Sequence, residues 1–183
     1  MKVIVMHSSP NRDGLTASAA GAAAGALRAM GHDVEEVRLN DLELCGCKAC
    51  NNGWGSCREE RECCQDDAFP ALHRRFVAAN AYVLVTPVYY GEPSESMKTF
   101  MDRLRRCEAT LGARPAGLTG KPILVVAAAG GSGNGTVNCL RVMERWVEHV
   151  GATKHDFLGI TRFIRDYRLP QIAEAARALA TRV

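Results

Sequence analysis

Val3-Ile4-Val5-Met6-His7-Ser8-Ser9-Pro10-Asn11-Arg12-Asp13-Gly14-Leu15-Thr16 is the stretch on which the reading of this chain turns. Val3 to Met6 is a continuous apolar run without alternation, the pattern of a short strand buried on both faces of a parallel sheet. Ser8-Ser9-Pro10-Asn11 ends the run in a turn. From Leu15 to Met30 alanine and leucine dominate, Thr16 stands near the start, and Gly31 supplies the residue that a helix C-terminus favours. Strand, hydroxyl-rich turn and helix together open a βα unit. The turn offers backbone N–H groups at the positive end of a helix dipole, where an anion such as a phosphate is held, with Ser9, Asn11 and Thr16 as added donors. A solvated turn with a polar residue merely capping the helix is the plainer alternative.

Outward from this unit the alternation continues. Asp33 to Leu39 reads as a second strand, Ala68 to Ala79 as a helix, and Ala81 to Pro87 as a third strand closed by proline. Glu95 to Glu108 reads as the next helix and Pro122 to Ala129 as the fourth strand. A glycine loop from Gly130 to Gly135, a helix from Thr136 to Val150, a strand from Thr153 to Ile160 and a helix from Pro170 to Thr181 complete the pattern. Five βα units in succession predict an α/β fold with a doubly wound five-stranded parallel sheet and a ligand site beyond the strand C-termini. The 183 residues fit one domain, residues 1–183, interrupted by a cysteine-rich insert at about 42–67.

With 47% hydrophobic and 23% charged residues the composition is that of an ordinary globular protein. Lys and Arg exceed Asp and Glu by only 23 to 20, without a basic stripe, so no nucleic-acid partner is expected. Met1-Lys2 leads into an apolar run too short for a signal segment or a membrane span, so a cytoplasmic location and no membrane contact are expected. Neither the Gly-Lys-Ser/Thr ending of a Walker loop nor the spaced glycines of a Rossmann fingerprint follows the first strand. Six of the eight cysteines, Cys45, Cys47, Cys50, Cys57, Cys63 and Cys64, fall within one 20-residue window. In a reducing compartment that density points to metal or redox chemistry. Cys107 and Cys139, alone in helical patterns, read as buried small hydrophobes.

After the third strand comes Pro87-Val88-Tyr89-Tyr90-Gly91-Glu92-Pro93-Ser94-Glu95-Ser96-Met97-Lys98-Thr99-Phe100-Met101-Asp102-Arg103. This segment resembles the NADPH-dependent FMN reductase branch of the flavodoxin-like superfamily. There a Ser-Pro-Arg-x-x-Gly-Asn-Thr type loop holds the FMN phosphate, and a segment with the Pro-x-Tyr and Lys-x-Phe-x-Asp-Arg pattern borders the isoalloxazine ring. The resemblance implies strand order 2-1-3-4-5 and phosphate contacts from Ser9, Asn11, Gly14, Leu15 and Thr16, although Asn11 replaces the usual Arg and Leu15 the usual Asn. It implies flavin contacts from Pro87, Val88, Tyr89, Tyr90 and Gly91, with Ala129, Gly130 and Gly131 along the pyrimidine edge. No side chain is expected to act as a catalytic residue, because the flavin carries the hydride chemistry. Tyr89 and Tyr90 as plain surface aromatics is the alternative. Lys98, Asp102 and Arg103 read as a solvated helix face or a subunit contact.

Cys45-Gly46-Cys47-Lys48-Ala49-Cys50 followed by Cys57 is similar to the compact motif of the iron–sulfur flavoproteins of the same superfamily. The resemblance implies a [4Fe–4S] cluster on Cys45, Cys47, Cys50 and Cys57, with Cys63 or Cys64, just ahead of Asp66-Asp67, as an alternative ligand. Here one residue separates the first two cysteines where the family has two, and Leu44 stands where the first ligand would fall. A zinc knuckle and a metal-free set of thiols remain alternatives. Two functions follow from the resemblance. One is an FMN-dependent oxidoreductase moving a hydride between NAD(P)H or a small substrate and an acceptor such as a quinone, a flavin or an iron–sulfur centre. The other is an electron-transfer module between FMN, a cluster and a ferredoxin-type partner. Either is expected as a homodimer or homotetramer.

Overall fold

The computed structural model describes residues 1–108 and 117–181. Strand β1 (Lys2–His7) leads into helix α1 (Leu15–Ala29), followed by β2 (Asp33–Arg38). The cysteine-rich segment comes next, mostly irregular apart from single turns of helix at Leu39–Asp41, Asn51–Gly53 and Ser56–Glu59. Then come α2 (Phe69–Ala78), β3 (Ala81–Tyr89), α3 (Glu95–Glu108), β4 (Pro122–Ala129), α4 (Thr136–His149), β5 (Thr153–Thr161) and α5 (Arg165–Ala180). The five long strands are parallel in the order 2-1-3-4-5, the flavodoxin-like arrangement anticipated above.

The buried strands alternate between two apolar layers. Ile4 and Met6 of β1, with Tyr82 and Leu84 of β3, pack on the face covered by α2, α3 and α4, against Phe76, Phe100 and Trp146. Val3, Val5, Val83 and Val85 pack on the opposite face against the alanines of α1 and Ile172, Ala176 and Leu179 of α5. The period of two that sends neighbours to opposite faces explains why these runs carry no polar residue. Small alanines let α1 lie close to the sheet.

Most predicted ends agree to within a residue or two; two differ for identifiable reasons. β3 does not stop at Pro87: Val88 and Tyr89 continue it by pairing antiparallel with Pro93 and Glu92. The connection is a two-residue turn in which Tyr90 (φ 51°) and Gly91 (φ 81°) are both left-handed, the geometry that closes a tight hairpin. The last helix begins at Arg165 rather than Pro170 and carries the proline inside it. Pro170 lies near the start, so its missing N–H removes a single intrahelical bond, to the Asp166 carbonyl. No helix among the described residues is long and apolar enough to cross a membrane.

Candidate functional site

Three loops meet at the carboxyl edge of the sheet, beginning with the turn after β1. Ser9 is buried and donates its hydroxyl to the Asn11 carbonyl at 2.7 Å, while residues 10 to 13 are exposed. Arg38, at the end of β2, donates through Nε to the Ser9 carbonyl at 3.1 Å and through Nη2 to the Pro10 carbonyl at 2.6 Å. With its amide nitrogen turned inward, Asn40 donates to the Ser8 and Ser9 carbonyls at 3.0 and 3.2 Å. A trans peptide sets C=O and N–H antiparallel, so engaging the Pro10 carbonyl turns the Asn11 N–H away from Arg38. Gly14 is the N-cap residue of α1 and no side chain caps the first-turn N–H groups. Thr16 is buried within that turn and Leu15 is half-buried. These amides and the helix dipole form a cradle of anion-binding character. Sequence reasoning missed Arg38 and Asn40, which shape the cradle from the neighbouring strand. Beneath it His7 is pushed below its ordinary pKa by burial and by the Arg38 guanidinium.

The aromatic turn after β3 stands beside this cradle. Three buried hydroxyls join the two: Ser94 Oγ donates to Ser8 Oγ at 2.7 Å, Ser8 Oγ to Thr86 Oγ1 at 3.1 Å, and the Ser94 N–H bonds Thr86 Oγ1 at 3.0 Å. Pro87 is buried, Val88 half-buried, Tyr89 46% exposed and Tyr90 fully exposed. A left-handed tyrosine costs on the order of 1–2 kcal/mol, strain of the kind that collects at functional sites. The turn is held by the start of α4, where Asn138 Nδ2 donates to the Gly91 carbonyl at 2.9 Å.

Gly135 makes this contact close. A Cβ there would stand 2.7 Å from Gly91 Cα, and Gly135 itself has φ 80°. Gly135→Ala is therefore expected to lower stability by about 1–2 kcal/mol and to push the Tyr90 turn outward, weakening on the order of tenfold the FMN binding that the resemblance implies. Urea denaturation and flavin fluorescence titration measure the two effects. In the third loop Ala129 is buried, and Gly130 and Gly131 are exposed with nothing within 4 Å of a built Cβ, so bare backbone faces open space.

The cysteine window forms a separate feature against α3. Cys47, Cys50, Cys57, Cys63 and Cys64 line one small cavity, and Cys107 reaches it from α3. Cys45, expected among the ligands, is not in this lining: its N–H bonds Asp67 Oδ2 at 2.8 Å and its carbonyl accepts from Arg103. Cys50 Sγ lies 3.9 Å from Cys64 Sγ, and that contact pushes the Cys50 thiol up. As arranged, the described residues contain no group of three or more Cys, His, Asp or Glu side chains converged for a single metal ion. Ala49, Asn51, Asn52 and Arg61 in this segment all adopt left-handed backbone conformations. Burial forces the Cys107 and Cys139 thiols up, so both stay protonated; Cys107, read from sequence as a plain core residue, also borders the cavity.

Arg103 is a correction to the solvated helix face. It is 1% exposed, paired with Asp67 and stacked 4.2 Å above the Phe69 ring centroid. Lys98 and Asp102 do lie on the outer side, paired with each other. Burial would raise the Asp67 carboxyl, but Arg103 and the Cys45 and Phe69 N–H groups outweigh it and hold the group below its usual range.

A second buried pair sits near the end of α3. His73 Nε2 and Glu108 Oε1 are 2.6 Å apart, and the Gly117 N–H donates to Glu108 Oε2 at 2.6 Å. Burial favours the neutral acid, yet the bonds from His73 and Gly117 win and lower the Glu108 pKa. A carboxyl lowered in the folded state stabilises above its unfolded value, and that contribution fades as pH falls through the folded one. Urea midpoints are expected to drop as pH is taken from neutrality to below about 4, and Glu108→Gln is expected to flatten part of that dependence.

A doubly wound parallel sheet whose first turn forms an uncapped anion cradle, with an aromatic turn and bare glycine backbone beside it, defines a flavodoxin-like α/β protein. The family model described as NADPH-dependent FMN reductase matches residues 1–154, and the chain belongs to that family. An iron-sulfur flavoprotein of Archaeoglobus fulgidus is 31% identical over 148 residues, covering 80% of this chain and 64% of the relative. Iron-sulfur flavoprotein MJ0731 of Methanocaldococcus jannaschii is 28% identical over 165 residues, covering 90% and 74%. The chain spans between about half and just under two thirds of the first curated relatives it matches. Among solved structures, a flavone reductase superposes with TM-score 0.78 at 16% identity, over 99% of this chain and 62% of that one. An FMN-dependent NADH-azoreductase of Bacillus anthracis gives 0.74 at 16%, over 98% and 100%. These likenesses establish the fold.

Proposed function

We infer that the protein is an FMN-dependent oxidoreductase that moves a hydride from NAD(P)H or a small substrate to an acceptor such as a quinone, a flavin or an iron–sulfur centre. The observation that carries this reading is the uncapped N-terminus of α1, with Ser9, Asn11, Gly14, Leu15 and Thr16 around it, on the same sheet edge as the Tyr90 turn. The residues fit FMN: first-turn amides of α1 receive a phosphate dianion, and the open backbone at Gly130 and Gly131 admits the edge of a planar ring. When bound, the flavin supplies two-electron hydride chemistry and its transfer onward. Pro87, Val88 and Gly91 offer backbone to the ring, while Tyr89 and Tyr90 limit solvent at its side. Tyr90, Val137, Phe163 and Tyr167 are all well exposed at this edge, which favours a homodimer that covers the flavin.

A second reading is supported by the thiol cavity and by relatives named as iron-sulfur flavoproteins. There the chain passes electrons between FMN, a [4Fe–4S] cluster and a ferredoxin-type partner, with ligands drawn from Cys47, Cys50, Cys57 and either Cys63 or Cys64. A four-iron cluster takes one thiolate per iron rather than several on one ion, so five sulfurs spread around one cavity match its donor set, and the buried, unpartnered N–H groups at Arg103 and Arg106 beside it suit an anion.

The test is anaerobic purification followed by a visible spectrum, reduction trials and iron and sulfide analysis. A yellow protein that NADPH bleaches, and that a quinone then reoxidises, supports the reductase. Bleaching only by a reduced ferredoxin, with stoichiometric iron and sulfide, supports the electron-transfer module. Colourless protein that takes up no FMN contradicts both.

A further inference from the structure

The cysteine cavity is cationic as well as sulfur-rich. Arg103 reaches it from α3, held from behind by Asp67 and the Phe69 ring, and its Nη2 donates to Cys63 Sγ at 3.1 Å. Its Nε is buried without a hydrogen-bond partner. Arg106, three residues on, bonds the Gly53 carbonyl and stacks 4.7 Å from the Trp54 ring centroid. Its Nε is buried and unpartnered too, as is Oε1 of the cavity-lining Gln65. A guanidinium taken out of water is strongly disfavoured unless a counter-charge receives its donors. Asp67 balances one of the two arginines, and no described carboxylate is paired with Arg106. The arrangement therefore leaves the half-buried Arg106 without a carboxylate partner at the cavity, and leaves two buried N–H donors, the Nε groups of Arg103 and Arg106, without an acceptor.

We propose that Arg103 and Arg106 are positioning residues for a cysteine-held iron–sulfur cluster in this cavity, and that their charge sets its reduction potential. The inference rests on the second reading above. Four thiolates and the irons they hold carry a net negative charge that grows by one unit on one-electron reduction. A fixed guanidinium therefore favours the reduced state over the oxidised one and raises the potential. Arg103 has the stronger influence, because it also donates directly to a sulfur; hydrogen bonds to cluster sulfurs are a known lever on potential. Asp67 sets the direction of the fork, so that Nη2 meets Cys63 while Nη1 is engaged behind it.

The test uses the anaerobically purified full chain with its cluster and flavin. Electron paramagnetic resonance follows the cluster during a redox titration, and absorbance follows the flavin. Arg103→Gln and Arg106→Gln are each expected to shift the cluster midpoint to more negative potential, Arg103→Gln by more, while the flavin midpoint stays where it was. Arg103→Lys, which keeps the charge but loses the fork, is expected to restore part of the shift. If Arg103→Gln does not fold or hold iron, Arg106→Gln and Arg103→Lys decide alone. Unchanged cluster potentials in iron-replete variants overturn the inference and leave the cluster reading standing. Wild-type protein without iron and sulfide overturns the cluster reading itself.

Discussion

Gly14→Asp is expected to leave the fold at least as stable as before and to weaken FMN binding on the order of 100- to 1,000-fold. Gly14 is the N-cap residue of α1, with φ −76°, and a Cβ there would meet Asn11 Cβ at 3.4 Å and Ser9 Oγ at 3.8 Å, contacts the exposed loop accommodates. Aspartate is among the best N-cap residues and gains a few tenths of a kcal/mol over glycine. The same carboxylate would occupy the amides proposed to receive the FMN phosphate. Like charges about 4 Å apart repel by roughly 4 kcal/mol near a protein surface. Stability and cofactor affinity thus move in opposite directions, which general damage to the loop does not produce. Urea denaturation and flavin fluorescence titration on one preparation read both. Unchanged FMN affinity would remove the phosphate from this turn.

Cys50→Ser is expected to lose most of the bound iron after anaerobic purification, whereas Cys45→Ser is expected to keep it. Both residues lie in the same short run, so sequence alone ranks Cys45 equal to Cys50. The fold separates them: Cys50 lines the cavity within 3.9 Å of Cys64 Sγ, while the backbone on either side of the Cys45 side chain is tied to Asp67 and Arg103. Iron and sulfide per chain are the measurement. Equal loss in both variants would place Cys45 among the ligands and contradict a ligand set confined to the cavity-lining thiols. Retention in both would end the case for a cluster at this site.

The fold was largely legible because its evidence is local. Buried parallel strands announce themselves as short apolar runs, and Val3 to Met6 and Ala81 to Val85 have no other sensible place. The Tyr90–Gly91 turn was not legible, since a left-handed tyrosine runs against local preference and is fixed by distant partners, Gly135 and Asn138. The cradle was legible in its own residues but not in Arg38 and Asn40, which belong to another strand end. Arg103 had a readable signal: it lies three residues after Phe100 and four before Cys107, on the apolar stripe of its helix, and its charge masked that position. That Cys107 meets sulfurs from a segment some 50 residues earlier follows only from packing α3 against the insert.

The account stands on one cradle at the sheet's carboxyl edge that grips a phosphorylated flavin. Calorimetric titration of flavin-stripped protein with FMN and, separately, with riboflavin tests this directly, because the two ligands differ only in the phosphate. The account predicts saturable binding of FMN at one per chain and binding of riboflavin weaker by several orders of magnitude. Equal affinity for the two ligands, or no binding of either, would contradict it.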